Sequence, residues 1–371
     1  MRQILAPSVR HALVSVLLAS AFAACASPAR RGWSAYERGD YSAALEHWLP
    51  LAERGDANAQ YLVGLMLDTG QGVAIDDAGA ARWYRLAADQ GHAAAQNNLG
   101  LMCFAGEGLA RDLEAAASWY ERAAAQGFAP AQANLGVLHL HALTMGHDLG
   151  RARELLDAAA KQGERTAQRL LGAMLQEGLG GDVDLDGAAR WTRKAAEQGD
   201  AAACASLARM YLDGEGVTQS DEHAARWARQ AAEQGDADAR AQLGLMYLHG
   251  RGVEVDDERA AHWLGLAAEQ GQPLAQHNLA LMALKGRGVE RDERLAAAWL
   301  RRASDSGFAP SQTKLAQMYE LGRGVERDEF SALKWYGASA AQGDEVALAR
   351  QGVLESKLRL SLLEIDRRQP R

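Results

Sequence analysis

The stretch GRGVEVDDERAAHW, Gly250–Trp263, sets a G-x-G loop ahead of a helix start at Asp256. Loop amides and the positive end of a helix can together hold a phosphate. Three other groupings could do chemistry. His139, His141 and His147 could give imidazole nitrogens to zinc or copper, but no cysteine or carboxylate stands at a characteristic spacing from them. DVDLDG, Asp182–Gly187, opens like a calcium loop, yet the twelfth position needs a glutamate and holds Arg193, so Asp184 reads as a helix cap. Met66, Met102, Met174, Met210, Met246, Met282 and Met318 could offer thioethers to a soft metal, but a regular core spacing reads as gap-filling packing. No G-x-S-x-G motif occurs, and no serine, histidine and acid stand together. The sequence therefore predicts no catalytic residue, no metal site and no cofactor.

The loop that opened the question recurs. GQGVAID begins at Gly70, GEGLARD at Gly106, GEGVTQS at Gly214 and GRGVERD at both Gly286 and Gly322, each a multiple of 36 residues from Gly250. A phosphate site occurs once, whereas a structural turn recurs with its repeat, and a fixed period of this size marks a stacked array. The loop reads as a turn.

One unit, Asp56–Gly91, shows what the turn joins. Ala59, Val63 and Met66 recur at helical spacing, as do Ala80, Trp83, Ala87 and Ala88. Two helices follow. Asp76 heads a column of Asp112, Asp148, Asp184, Ser220, Asp256, Asp292 and Asp328, all able to cap the second helix. Gly91, Gly127, Gly199 and Gly235 belong to a column running from Gly55 to Gly343, the C′ position where glycine adopts positive φ at little cost. Gly64, Gly100, Gly136, Gly172 and Gly244 alternate with Ala208, Ala280 and Ala316 where helices must approach closely. Trp48, Trp83, Trp119, Trp191, Trp227, Trp263, Trp299 and Trp335 form a column broken at Leu155. Burying about 200 Å² per ring at about 25 cal/mol per Å² is worth about 5 kcal/mol gross, so these rings are expected to hold neighbouring units together.

Bulk properties restrict the partners. A chain of 371 residues with a net charge of -8 should repel nucleic acid and anionic lipid. Cys103 and Cys204 lie almost three units apart, beyond the roughly 7 Å Cα separation that a disulfide tolerates. Residues 1–24 differ from everything after them: Arg2 and Arg10 precede an apolar run from Ala12 to Ala24, a signal-peptide pattern too short to span a bilayer. ASAFAAC offers a small-x-small cleavage site after Ala23. FAAC also resembles the lipobox of bacterial lipoproteins, although Phe22 stands where that family usually has leucine. That resemblance implies an acylated Cys25. Ala26, in place of a retaining aspartate, then implies an outer-membrane anchor facing the periplasm; the alternative is a soluble secreted protein.

The columns A-x-A-Q-x-x-L-G-x-M-Y, the G-x-G-V loop, the aspartate and A-A-x-W-x-x-x-A-A-x-Q-G resemble the Sel-one-like repeat, a relative of the tetratricopeptide repeat. The resemblance implies an all-α fold, a solenoid of stacked antiparallel helix pairs forming a curved superhelix. Its expected layout is a signal peptide at 1–24, a linker at 25–32, a tetratricopeptide-like opening pair at 33–55, eight 36-residue repeats at 56–343, and a capping helix with tail at 344–371. It also implies a non-catalytic scaffold that binds partner proteins in a concave groove lined by first helices. The non-core columns there are Asn97, Asn98, Asn134, Arg169, Arg209, Gln242, His277, Asn278 and Lys314, which could hold peptide backbone or a carboxylate. Envelope proteins or their peptides are the expected partners, with membrane contact only through the N-terminal lipid. Binding of cell-wall polysaccharide or peptidoglycan is the alternative. A β-lactam hydrolase of the cysteine-rich branch is disfavoured, since this chain lacks a disulfide in each repeat. The third unit is irregular: HLHALTMGHD, His139–Asp148, replaces the glycine loop.

Overall fold

A computed structural model describes residues 28–141 and 148–368, with side chains as far as Arg359. The leader, Cys25 and His147 lie outside the described residues. Every regular element among those described is a helix, and the chain divides into two compact units, residues 1–191 and 192–371.

The first unit holds α1 (Pro28–Glu37), α2 (Tyr41–Glu53), α3 (Ala57–Thr69), α4 (Asp77–Asp89), α5 (Ala93–Ala105), α6 (Leu113–Ala125), α7 (Ala129–Leu140), α8 (Leu149–Lys161) and α9 (Arg165–Glu177). α10 (Leu185–Glu197) contains the boundary. The second unit continues with α11 (Ala201–Asp213), α12 (Asp221–Glu233), α13 (Ala237–His249), α14 (Asp257–Glu269), α15 (Pro273–Lys285), α16 (Glu293–Asp305), α17 (Ala309–Leu321), α18 (Glu329–Ala340) and α19 (Glu345–Arg368). Within each unit successive helices pack on one another, hairpin by hairpin, as an α-solenoid requires. α1 is already helical from Pro28, the first residue described, and so takes in residues 28–32 of the stretch expected as linker.

The ends of the helices follow from their columns. Asp76, Asp112, Asp148, Asp184 and Asp256 each accept a backbone N–H three residues on, at 2.8–3.0 Å, and Ser220 does so at 3.3 Å. Gly70, Gly106, Gly178, Gly214, Gly250, Gly286 and Gly322 close the first helices at φ near +70°. The second glycine of each loop does something else. A Cβ on Gly252, Gly288 or Gly324 would sit 1.9–2.0 Å from the carbonyl oxygen of Asp221, Asp257 or Glu293, one repeat earlier. The loop is pressed on the preceding hairpin. Arg251, Arg287 and Arg323, between the glycines, then pair bidentately or nearly so with those three carboxylates.

The methionine column is core throughout, from Met66 at 0% exposure to Met318 at 3%. The tryptophan column departs from expectation. Trp48 is fully buried and Trp119 and Trp227 nearly so, but Trp83, Trp191, Trp263, Trp299 and Trp335 are only half-buried. The next residue along is the buried one: Tyr84, Tyr120, Leu156, Leu264, Leu300 and Tyr336 are each 0% exposed. One residue is about 100° around a helix, so the two columns face different directions. Tyr84, Tyr120, Leu156 and Leu264 fill the notches at Gly64, Gly100, Gly136 and Gly244, where a Cβ would lie 2.6–2.8 Å from the ring or branch. Several of the tryptophans instead lie under cations, Arg122 at 4.6 Å over Trp119, Arg302 at 4.7 Å over Trp299 and Lys334 at 5.0 Å over Trp335.

Candidate functional site

The groove residues sit on first helices and fall into neighbouring columns. Asn98 and Asn134 in the first unit, and Ser206, Gln242, Asn278 and Lys314 in the second, are half-buried polar residues in one frame, which Leu62 and Leu170 fill in the other two repeats. Asn97, expected on the surface, is 1% exposed. Its Oδ1 accepts from Asn134 Nδ2 at 2.9 Å, and its own Nδ2 donates to Asn98 Oδ1 at 3.3 Å. Asn98 also hydrogen-bonds the Tyr84 hydroxyl, which donates to buried Asp68 at 3.2 Å. The three asparagines are thus brought together as an internal strut between repeats. Burial and the nearby Asp68 push the Tyr84 phenol well above its ordinary range, so it stays a donor.

In the second unit Arg209 is exposed on α11 and Gln242 half-buried on α13. His277 Nδ1 lies 2.9 Å from Ser311 Oγ, and its ring meets Phe308 edge-on at 5.5 Å. Burial, with Lys314 adding repulsion, lowers the His277 pKa and favours a neutral imidazole. Asn278 Nδ2 donates to Leu274 O at 2.8 Å, and Lys314 Nζ to Gln317 Oε1 at 3.3 Å. Both remain on the face. Arg169 is half-buried on α9 and Lys314 half-buried on α17. A carboxamide offers two N–H donors and two acceptor lone pairs, so one internal bond leaves capacity to read a peptide backbone.

The remaining chemistry-bearing groups are absorbed by structure. Around Gly250, the Gly250 and Arg251 amides donate to Met246 O and the Asp256 amide to Tyr247 O, so these N–H groups are not presented to an anion. Asp184 caps α10, and its calcium-like neighbour Asp182 accepts from Arg153 through its carbonyl. His139 is half-buried on α7, and His141 follows as the residue that ends that helix. Cys103 and Cys204 are free, buried thiols, raised in pKa by burial, Cys204 to about 11. Two S-x-x-K spacings, Ser311–Lys314 and Ser331–Lys334, form no serine–lysine pair: Ser311 bonds His277, Ser331 donates to Asp328 at 2.6 Å, and Lys334 lies over Trp335.

A glutamine ladder was missed by sequence reasoning. Gln60, Gln96, Gln168, Gln276 and Gln312 donate Nε2 to the backbone carbonyl eight residues earlier, at 3.0–3.2 Å. Gln90, Gln126, Gln162 and Gln342 then donate across to Gln60, Gln96, Gln132 and Gln312 at 2.7–2.9 Å. The signal was present as two glutamine columns separated by 30 residues. Nothing in a single helix shows that the two meet.

Helical hairpins in register, joined by αL-capped loops pressed on the preceding hairpin, define a tetratricopeptide-like repeat array. Eight consecutive stretches, 57–92, 93–128, 129–164, 166–200, 201–236, 237–272, 273–308 and 309–344, match the Sel1 repeat, and the chain belongs to that family. Proteins of this family are generally protein-interaction scaffolds rather than catalysts, and no enzyme homologue is indicated. Among solved structures the chain is similar to c5321, described as a protective antigen present in uropathogenic Escherichia coli strains and displaying an SLR fold. It shares 35% identity over 85% of this chain and 68% of that one, with a TM-score of 0.79. It is also similar to a Sel1 repeat protein from Oxalobacter formigenes, at 32% identity over 89% of this chain and 95% of that one, TM-score 0.60. No curated protein matches the chain.

Proposed function

We propose that the chain is a non-catalytic scaffold of the bacterial cell envelope that holds partner proteins, or extended peptides from them, against its first-helix face. The observation that carries this is a column of half-buried polar residues on the first helices, Asn98 and Asn134 in the first unit and Ser206, Gln242, Asn278 and Lys314 on four successive repeats of the second. Repeated carboxamides suit the repeated amides of an extended backbone, and Arg209 and Lys314 add charge for acidic side chains or a carboxylate. The signal-peptide pattern of residues 1–24 and the FAAC sequence at Cys25 support export, as a periplasmic or outer-membrane-anchored lipoprotein. The likeness to c5321, described as a protective antigen, supports the same compartment.

Binding to cell-wall glycan is the second reading, favoured by the half-buried Trp83 and Trp263 of the second helices. Against it, arginines already occupy the ring faces of Trp119 and Trp299. The test is affinity capture from envelope extracts by the chain and by an Arg209→Glu, Gln242→Ala, Lys314→Glu triple variant of equal thermal stability. Partner proteins retained by the first and lost by the second are the expected result. Equal recovery by both removes the groove assignment, and calorimetric binding of glycan fragments with no protein captured favours the second reading. Mass spectrometry of the mature N-terminus checks acylation of Cys25.

A further inference from the structure

Each hairpin is keyed by a notch and a knob. A glycine in the middle of the first helix, such as Gly64, Gly100, Gly136 or Gly244, receives a tyrosine or leucine from the second helix, with contacts of 2.6–2.8 Å to any Cβ placed there. α19 carries the same notch. Gly352 stands in the frame of Gly64, eight repeats later, and a Cβ there would meet nothing within 4 Å. Among the described residues no helix fills it. Leu358 occupies the place where Gly250, Gly286 and Gly322 end their helices, and α19 runs on to Arg368. A glycine inside a helix loses about 1 kcal/mol relative to alanine, which close packing offsets in the repeats and nothing offsets at Gly352.

The surface around the notch has the character of an interface. α19 packs on α18 through Ala347 and Leu354, both nearly inaccessible, while Val346 and Val353 on its outer side are 59% and 61% exposed. Ala349, Gly352, Val353, Ser356 and Lys357 form a shallow, open and mainly apolar strip along this side of the helix. A terminal repeat that faces only water ordinarily carries a polar outer face.

We infer that α19 is half a hairpin completed by α19 of a second copy of this chain, packed antiparallel across a twofold axis near Gly352 and Val353. The hairpins supply the precedent, since the helix that fills each notch runs antiparallel to the one bearing it. A twofold axis perpendicular to α19 generates that orientation. It also makes the contact self-complementary: Val353 of one copy enters the Gly352 notch of the other, and Ala349 meets Ser356, small residues that let the axes approach. Charge selects the same orientation. Glu345 lies at one end of the paired stretch and Arg359 at the other, both exposed, while Lys357 pairs with Glu329 of its own chain, so antiparallel packing brings Glu345 and Arg359 of the two copies together and parallel packing brings like charges together.

The test is sedimentation equilibrium of the chain over a wide concentration range, with two variants. Gly352→Leu fills the notch without a clash in the free chain and improves helix propensity, so it should keep the circular dichroism spectrum while raising the dimer dissociation constant about tenfold or more. In a Cys25→Ser background Val353→Cys should form an intercopy disulfide on mild oxidation, which the buried Cys103 and Cys204 would not do without it. A chain that stays monomeric at every concentration, or a dimer that Gly352→Leu leaves intact and Val353→Cys does not crosslink, overturns the inference. So does a monomer whose notch instead takes an amphipathic helix of another protein.

Discussion

Ser306→Gln should stabilise the second unit, although it replaces an exposed residue by a larger one. At the following junction the glutamine in this position donates Nε2 to the glutamine of the preceding repeat, Gln342 to Gln312 at 2.9 Å, as Gln90, Gln126 and Gln162 do in the first unit. Ser306 is too short to reach; its hydroxyl donates to Ala303 O at 2.7 Å, and Gln276 Oε1 is left buried without a partner. A buried unpaired acceptor costs about 1–3 kcal/mol, and a neutral hydrogen bond contributes about 1 kcal/mol net. Ordering a glutamine side chain on the surface costs at most about 2 kcal/mol, less where the rotamer is partly held. The expected gain is about 1 kcal/mol. Stability in such an array is a sum of local and nearest-neighbour contributions. The assay is therefore amide hydrogen exchange across α15–α17, together with urea unfolding. In a Gln276→Ala background the gain should vanish, because its acceptor is gone. Equal effects of Ser306→Gln with and without Gln276, or a net destabilisation, would refute the ladder as a source of cohesion.

Other outcomes follow from the same contacts. Gly288→Ala should cost several kcal/mol, since its Cβ would lie 1.9 Å from Asp257 O, whereas Gly91→Ala, at φ +92° with open space around it, should cost only the ~1–2 kcal/mol of left-handed backbone; comparative urea midpoints check the difference. Tyr120→Phe should be neutral or stabilising by up to about 1 kcal/mol, because the Tyr120 hydroxyl is buried and unpartnered where Phe104 replaces the acid that Tyr84 finds in Asp68. Tyr84→Phe, which strips Asp68 of that donor, should cost about 1–3 kcal/mol in the same measurement. His92 Nδ1 accepts the Ala95 amide at 3.1 Å and burial lowers its pKa, so it caps α5 only when unprotonated. Its contribution is complete above the unfolded value of about 6.5 and is lost as pH falls from there through the depressed folded value. His92→Asp should flatten the stability profile of the first unit over that window, seen as hydrogen exchange of α5 measured against pH.

Much of the architecture was legible before any coordinates. The glycine and aspartate columns each report a local conformational demand, a positive φ or an orphan N–H, that a residue type answers by itself. The candidate site was legible only in part. Asn278 and Gln242 lie on the face that their column implied, but Asn97, one residue from Asn98, turns inward to join Asn134. Adjacent residues on a helix face directions about 100° apart, and the width of the polar stripe depends on how closely the next hairpin packs.

By itself the sequence determined the period, the alternation of helices and the caps that open and close the second helices, because these are decided within a few residues of chain. Only the tertiary structure decided that Tyr84 rather than Trp83 fills the glycine notch, that the second loop glycine lies against the preceding hairpin's backbone, and that glutamines 30 residues apart join into a ladder. The first is made between the two helices of one hairpin and the other two between successive hairpins. Their existence depends on the offset and tilt of one helix or hairpin upon the next, which summed side-chain volumes across the whole interface set and no single column records.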